Sequence, residues 1–502
     1  MMKLTGLFGS TALCGLLATT GAQAMTAAEV WKNWKDFATS TGQTVTTASE
    51  EMDGDTLVVS EATFVSSDST AEITVEIDEV RFKELGDGSV EVTMSPSYPI
   101  TVDGTGSDGT ENSMELTVTQ TNLRTIASGT PDNVSYAITS DAIAVTTASV
   151  MEDGKAIPVN VAVTMNGAGG SYVMGPHSGD LANLTSTFNA TSMAVEVHAD
   201  DQKIGSKVDL SASIGAFATV MNGTFGAALL EIENPADAVK AGLAVDFGIT
   251  YGPVAYAMDV MENGSPTKIN GKSDGGALGF ALDKTRMAFK GGGKGVQVKV
   301  SGAEIPFPEV MIAYAESAFD FSVPVSASPD PQNFKLVARL IGVTVSDEIW
   351  AMVDPTASIP RDPVTVIVDT KGTARLDADI MNDAAMNSGT PPGQLQSLDI
   401  PALQLTIGGA EFTGKGAFTF DNTDMTTFDG VPAPTGTIDL KLVGGNGLLD
   451  KLIAIGLIPE DQAMQGRMMM GMFARPGEGP DTLTSTLEFK DKGFFANGMQ
   501  LQ

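Results

Sequence analysis

The sequence predicts a mainly β protein, a long antiparallel meander sheet folded on itself like a clamshell or sandwich, with a few short helices. Apolar and polar residues alternate with period two along the whole chain, which places the apolar side chains on one face of each strand. Asp-Gly and Asn-Gly pairs between these segments supply the positive φ values that hairpin turns require. Hydrophobic residues make up 42% of the 502 residues, enough to build a core.

The predicted strands are half-buried and antiparallel, because polar residues separate the apolar ones and no long apolar runs appear. The apolar phase slips by one residue between Ile77 and Val80, which predicts a β-bulge near Asp78 or Glu79. The apolar rows are Ile73, Val75 and Ile77; Met114, Leu116 and Val118; Val159, Val161, Val163 and Met165; Val296, Val298 and Val300; Leu403, Leu405 and Ile407; and Ile438, Leu440 and Leu442. The predicted turns are Asp53-Gly54, Asp87-Gly88, Asp103-Gly104, Asp108-Gly109, Asp153-Gly154 and Asn263-Gly264.

Helical segments are few. An N-terminal helix is predicted from Thr26 to Thr41, where Thr26 and Glu29 form a capping box and Gly42 ends the helix. Shorter helices are predicted over 234–241 and 346–352, and a C-terminal pair over 448–457 and 459–473. So few helices cannot cover the apolar face of a long sheet. The sheet must therefore fold into a sandwich, a closed cylinder or a curled clamshell, or hold apolar ligands.

Residues 1–24 are predicted to be a signal peptide, with Lys3, an apolar stretch and the small-residue site Ala22-Gln23-Ala24. We expect export, and a periplasmic location in the cell envelope after cleavage following Ala24, with no transmembrane segment in the mature chain. Proline-rich stretches suggest a division into an N-terminal antiparallel β region, 25–330, that opens with an amphipathic helix, and a C-terminal β region, 331–502, with a Met-rich helical pair. One continuous sheet through both regions is the alternative.

Charge and composition exclude several functions. The chain has 62 Asp plus Glu against 29 Lys plus Arg, a net charge of −33 at pH 7, which repels nucleic acids and anionic lipid headgroups. Cys14 is the one cysteine and lies in the predicted signal peptide, so the mature chain has no thiol chemistry. His177, in a turn, and His198, on the polar face of a strand, have no zinc-site spacing. We predict no metal, no cofactor and no nucleic-acid partner.

One motif resembles a catalytic element. Gly271-Lys272-Ser273-Asp274-Gly275 matches the G-x-S-x-G string of a nucleophile elbow. The fold that uses this elbow needs a histidine after the serine, but both histidines precede Ser273. The segment is better interpreted as a Gly-rich hairpin loop. We therefore predict no catalytic residue, and a serine hydrolase is the least favoured function.

The Met-rich helix carries the one candidate contact surface. Met464, Met468 and Met472 recur at i, i+4 and i+8, and Phe473 follows them. Thioethers form a pliable apolar surface suited to a ligand or partner, although such stripes more often pack into a core. The leading hypothesis is a non-enzymatic β-scaffold that shields or carries apolar, lipid-like material, with a lipid or an envelope protein as partner. The alternative is a structural or partner-binding envelope scaffold whose core is filled.

Several segments resemble an uncharacterised family of exported alphaproteobacterial proteins, the domain of unknown function numbered 2125. They are Val30-Trp31-Lys32-Asn33-Trp34 with Gly42 and then Asp53 to Leu57; Met165-Asn166-Gly167 through Gly175-Pro176-His177-Ser178-Gly179; and Gly456-Leu457-Ile458-Pro459 through Ala474-Arg475-Pro476-Gly477 to Asn497-Gly498. The family has no established activity. The resemblance therefore implies an envelope location and no mechanism.

Overall fold

The structure, a computed structural model, describes residues 24–502 except 41, 68–70, 107–108, 132, 177–180, 202–204, 226–228, 230–231, 233, 383–385, 388 and 390. The signal peptide, apart from Ala24, and His177 lie outside the described residues. The described helices are α1 (Ala27–Ser40), α2 (Pro235–Lys240), α3 (Asp347–Val353), α4 (Gly445–Ala454) and α5 (Glu460–Phe473). All five lie close to the predicted positions, including the N-terminal helix and the C-terminal pair.

Within the described residues, thirty strands form one antiparallel sheet, which confirms the predicted fold class. The first fifteen are β1 (Thr44–Thr46), β2 (Ser49–Asp53), β3 (Thr56–Ser67), β4 (Ala71–Glu84), β5 (Val90–Met94), β6 (Ser97–Thr105), β7 (Glu111–Thr121), β8 (Arg124–Thr130), β9 (Asn133–Glu152), β10 (Lys155–Ala156), β11 (Val159–Pro176), β12 (Ala182–Ala190), β13 (Ser192–Asp201), β14 (Ser206–Ile214) and β15 (Phe217–Phe225). The rest are β16 (Ala244–Tyr251), β17 (Val254–Glu262), β18 (Ser265–Ser273), β19 (Gly275–Leu282), β20 (Arg286–Gly302), β21 (Val310–Pro324), β22 (Gln332–Val345), β23 (Val364–Leu376), β24 (Gly393–Ile407), β25 (Ala410–Asp421), β26 (Ala433–Val443), β27 (Arg475–Pro476), β28 (Thr482–Lys490), β29 (Gly493–Ala496) and β30 (Met499–Gln500).

Most strands pair with a neighbour along the chain in a hairpin, so the sheet is largely a meander. Several long strands pair on one side with two shorter strands, one along each half of their length. β9 pairs with both β7 and β8, and β11 pairs with both β12 and β13. Two series of antiparallel strands, β13–β14–β17–β18 and β12–β15–β16–β19, then lie side by side until both pair with β20. From β20 the strands through β26 pair singly, followed by β28, β29 and β30.

The points at which the partner strands change line up across the sheet, and we call the line that they form the crease. On β3 and β4, Ser60 pairs with Glu79 and Ala62 with Ile77, and Glu61 between them has a φ of +50°. The register is unchanged across this point, so no residue is inserted and the predicted β-bulge is wrong. Instead, both strands reverse the alternation of their inward-facing and outward-facing side chains at paired positions. This reversal keeps Ile77 and Val80 on one face. The same change occurs at Gly167, φ +58°, and at Gly295, φ +57°.

The crease divides the sheet into two panels. Panel 1 contains β2, β5, β8, β12, β15, β16 and β19, and panel 2 contains β1, β6, β7, β13, β14, β17 and β18; the longer strands β3, β4, β9, β11, β20, β21 and β22 cross from one to the other. Because the phase changes at the crease, the apolar side chains of both panels lie on the same face. We call this the inner face and the opposite, polar one the outer face.

Helix α1 shows that the inner face is concave. Thr26 and Glu29 form the predicted capping box, with the Thr26 N–H donating to Glu29 Oε2 at 2.8 Å. The Trp31 ring packs against Phe64 of panel 2 and Phe82 of panel 1, with centroid distances of 6.4 and 5.6 Å. One ring contacts both panels, so the helix lies inside the fold of the sheet and closes one end of it.

The buried core is concentrated around this helix. Its fully buried members come from α1 and from the inner face of β3, β4, β5, β8 and β9. Tyr136 stacks on Tyr172 at 4.5 Å and donates a hydrogen bond to Asn33 Oδ1 at 2.7 Å, and burial raises the pKa of both tyrosines. Beyond these tyrosines the inner face has no comparably buried cluster among the described residues.

Two turn predictions need correction, whereas the domain division stays a prediction. Asp103-Gly104 lies within β6, because the chain turns later, between β6 and β7, where Gly109 has a φ of +86°; Asp108 lies outside the described residues. The Gly-rich hairpin loop predicted around Ser273 is also wrong, since Ser273 ends β18 at the crease and the neighbouring hairpin is at Asn263-Gly264. The sheet continues through residue 330, where β21 and β22 pair from Ile312–Val345 to Ser322–Lys335.

Candidate functional site: an open apolar trough

A row of apolar side chains crosses the inner face of panel 1 at right angles to the strands. Each member pairs directly with the next across six neighbouring strands, in the order Met221, Phe247, Phe280, Phe289, Phe321 and Leu336. The rings of Phe280 and Phe289 lie 4.9 Å apart. With neighbouring strands separated by about 4.8 Å, this row is roughly 24 Å long.

A second row runs beside the first. It pairs Ile249, Leu278, Gly291, Phe319, Ala338, Val368 and Leu403 in the same way. At Gly291 a Cβ atom would lie 2.6 Å from Leu278 Cδ2 and 2.8 Å from Phe319 Cε1. The glycine therefore lets its two neighbours approach across the strand between them, so the row stays continuous.

These rows are open to solvent. Leu278 is 50% exposed, Phe319 and Leu336 are each 45% exposed, and Phe289 is 41% exposed. Phe82 and Val80, on the same face beneath α1, are fully buried. Burying a side chain of this size completely contributes about 1.5–3 kcal/mol, so the exposed rows leave a substantial binding free energy unused. Contiguous apolar surface of this kind marks a ligand or partner site.

We call the groove lined by these two rows the trough. The C-terminal helices partly cover its far end. A pocket of about 260 Å³ lies between α5 and the inner face of β25, β26 and β28. Arg467 of α5 pairs with Asp450 of α4 at 2.5 Å, and Ala463 is 1% exposed, which holds α5 in place. The trough is therefore closed at the α1 end, open over panel 1, and partly roofed by α5.

The four predicted contact residues do not form a single surface. Met464, Met468 and Met472 share a helix face and are 60, 67 and 55% exposed, so the alternative that this stripe packs into a core is wrong. Phe473 is half-buried and lines the pocket on the sheet side of α5. The trough rows were not predicted from the sequence. The alternation within each strand is visible there, but which residues pair across neighbouring strands cannot be deduced from one strand.

Ser273 has no histidine partner among the described residues. It pairs with Val254 on the inner face of β18. His198 is on the outer face of β13, three strands across from β18 and five residues further along, roughly 22 Å from Ser273, and its Nδ1 lies 2.5 Å from Asp209 Oδ1. The solvent-facing position predicted for His198 is correct. The two side chains lie on opposite faces, so they cannot form a nucleophile and base pair.

Metal-binding clusters and membrane-spanning helices are absent from the described part of the chain. No group of three or more His, Cys, Asp or Glu side chains there has a geometry that could hold a metal ion. No helix in that part has the length and apolarity needed to cross a membrane. The shallow depression on the outer face, lined by Glu196, His198, Asp209 and Asp259, is acidic and half-open to solvent.

Comparison with known proteins places part of the chain in a family. Residues 279–500 match the family model described as an uncharacterized protein conserved in bacteria, DUF2125. The match includes the strands from β20 onward and both C-terminal helices, whereas two of the three resembling segments lie before it. Its description names bacteria in general, so the alphaproteobacterial source stays a prediction. No curated protein and no solved structure matches the chain.

Proposed function

We propose, from the premise that residues 279–500 belong to the DUF2125 family, that this protein is a non-enzymatic carrier or shield of apolar, lipid-like molecules. The observation that carries the proposal is the solvent-exposed double row on the inner face of panel 1. Six strands contribute directly paired apolar side chains, and the described helices leave this stretch uncovered. A long hydrocarbon ligand lying along the rows would bury them.

The chemistry of the trough supports binding rather than catalysis. Its rows contain apolar side chains and glycine, and Ser273 has no histidine partner among the described residues. The predicted signal peptide supports work in the periplasm, where lipids crossing the envelope must be kept from water. The net charge of −33 favours ligands with uncharged or zwitterionic headgroups over anionic ones.

The test is binding of a neutral fluorescent monoacylglycerol to the purified full chain. Phe319→Asp and Leu336→Asp each place a carboxylate in the trough, and we expect each to weaken binding at least tenfold, since losing one apolar contact of about 1.5–3 kcal/mol has that effect. Val220→Asp is the matched control, because Val220 is 49% exposed on the outer face. Equal binding by all three variants, or none by the wild type, contradicts the proposal.

The exposed methionine face of α5 favours a second function, docking of an envelope protein. Met464, Met468 and Met472 point away from the sheet and are not needed for its packing. A triple Met→Gln variant should keep lipid binding and lose capture of a protein partner from envelope extract. If the triple variant captures the same proteins as the wild type, this face is not a docking surface.

A further inference from the structure

The pocket beneath α5 has a lining that suits one part of a lipid only. Its floor includes Leu440, Leu442 and Leu483, and its roof is formed by Met470 and Phe473 together with part of Met469, which is 62% exposed. Lys441 and Thr484 also border it, at the alternate positions of their strands that point to the outer face. The side chains that enter the pocket are therefore almost entirely apolar.

The polar atoms at the pocket are already satisfied. The Ser485 hydroxyl, 7% exposed, donates to the Phe473 carbonyl oxygen at 2.5 Å. A headgroup placed here would lose its hydrogen bonds to water and gain none, at a cost of several kcal/mol by the usual transfer values. A ligand must therefore enter this pocket with its hydrocarbon end.

The pocket is continuous with the trough. A third inner-face row pairs Leu340, Val366, Leu405, Phe412, Leu442 and Leu483 across consecutive strands. Leu340 and Leu405, 37 and 41% exposed, lie in the open part, whereas Leu442 and Leu483 lie under α5. A chain lying along this row passes directly from the open trough into the pocket.

The volume sets how much of a ligand fits. A dry apolar cavity of about 150 Å³ holds a benzene molecule. The pocket, at about 260 Å³, is larger than that, but smaller than the usual site for a whole drug-sized ligand, which starts near 300 Å³. It accommodates a chain segment, and unbranched methionine side chains adapt readily to such a segment.

We infer that the pocket between α5 and the inner face of β25, β26 and β28 binds the methyl end of an acyl chain whose polar end stays in the open trough. This inference rests on the proposed lipid-binding function and adds the orientation of the ligand. It also explains why Phe473 faces the sheet while Met464, Met468 and Met472 of the same helix face solvent.

Photo-cross-linking of the wild-type full chain tests the orientation without any substitution. The probes are two palmitoylglycerol analogues, with a diazirine at the terminal carbon or next to the ester. We expect the terminal probe to label α5 near Met469–Phe473, and the ester-proximal probe to label panel 1 near Leu340, about one extended acyl chain from the pocket floor. If both probes label panel 1 and neither labels α5, the inference is overturned while the proposed function stands. If neither labels the trough, both are overturned.

A pocket-filling variant gives an independent measurement. Leu440→Trp should weaken palmitoylglycerol binding about tenfold, because displacing about two buried methylenes from the pocket has that effect. Binding of octanoylglycerol, whose shorter chain can remain in the open trough, should change less than twofold. Val220→Trp on the outer face is the control, and circular dichroism establishes that both variants fold. Equal weakening for both chain lengths in a folded Leu440→Trp protein overturns the inference.

Discussion

Trp31→Ala tests whether α1 holds the two panels together. Trp31 is 1% exposed and packs against Phe64 and Phe82 on opposite sides of the crease. Removing a buried tryptophan from a packed core costs about 3–5 kcal/mol, a large share of the 5–15 kcal/mol that stabilises a typical domain. We expect the loss to appear in both panels at once, because one ring contacts both.

Hydrogen exchange measured by mass spectrometry at increasing urea concentration is the assay. Peptides from β3 and β4 should lose protection at lower urea in Trp31→Ala, on both sides of the crease, while peptides from β24 to β26 should be unaffected. Phe37→Ala on the same helix is the control, since Phe37 is 46% exposed and its loss should cost about 1 kcal/mol or less. If the two variants are equally stable, or only one panel loosens, α1 does not join the panels.

Three further perturbations test other parts of the fold. Gly295→Ala should cost about 1–3 kcal/mol, because its φ is +57° and a Cβ would lie 2.1 Å from Asp274 Oδ2, whereas Gly293→Ala, with no neighbour closer than 3.6 Å, should cost little; urea unfolding compares them, and equal costs would refute a strained crease. Thr26→Ala should cost about 1 kcal/mol and speed exchange in the first turn of α1, since it breaks the capping box; unchanged exchange there would count against the cap. The Ile359 N–H, 2.7 Å from Asp354 Oδ2, and the Ser358 N–H hold the pKa of Asp354 below its usual value. The contribution of the Asp354 carboxylate to folding stability is therefore complete above the unfolded-state pKa of about 3.9, and it is lost as the pH falls through the lowered folded-state pKa. Acid-induced loosening of residues 354–359 should therefore disappear in Asp354→Asn, and its persistence would show that another group is responsible.

The strands and helices could be predicted from the sequence because both depend on local patterns. Period-two alternation located rows such as Val159 to Met165, and the capping box at Thr26 located the start of α1. The crease was only half visible. The phase slip between Ile77 and Val80 is visible in the sequence, and in a single strand it indicates a bulge. The partner strand β3 also changes phase, at Glu61, and only the pairing of the two strands shows this.

The candidate site was predicted less well than the fold. Alternation shows that Phe280, Phe289 and Leu336 face the same side as their strand neighbours, but not that they become directly paired, which depends on hairpin register. The methionine stripe was visible because helical spacing is local. Whether a face is covered depends on helices far away in sequence, so the exposure of Met464 and the burial beneath α1 both required the structure.

The hairpin order of the strands makes the length of the trough adjustable in fixed steps. One added hairpin inserts two strands and extends the sheet by roughly 10 Å, while the pairings on either side are kept. The crease continues through the insertion as long as each new strand carries its own phase change. Under the proposed carrier function, relatives that bind longer or shorter molecules are expected to differ by whole hairpins and not by gradual enlargement of side-chain pockets.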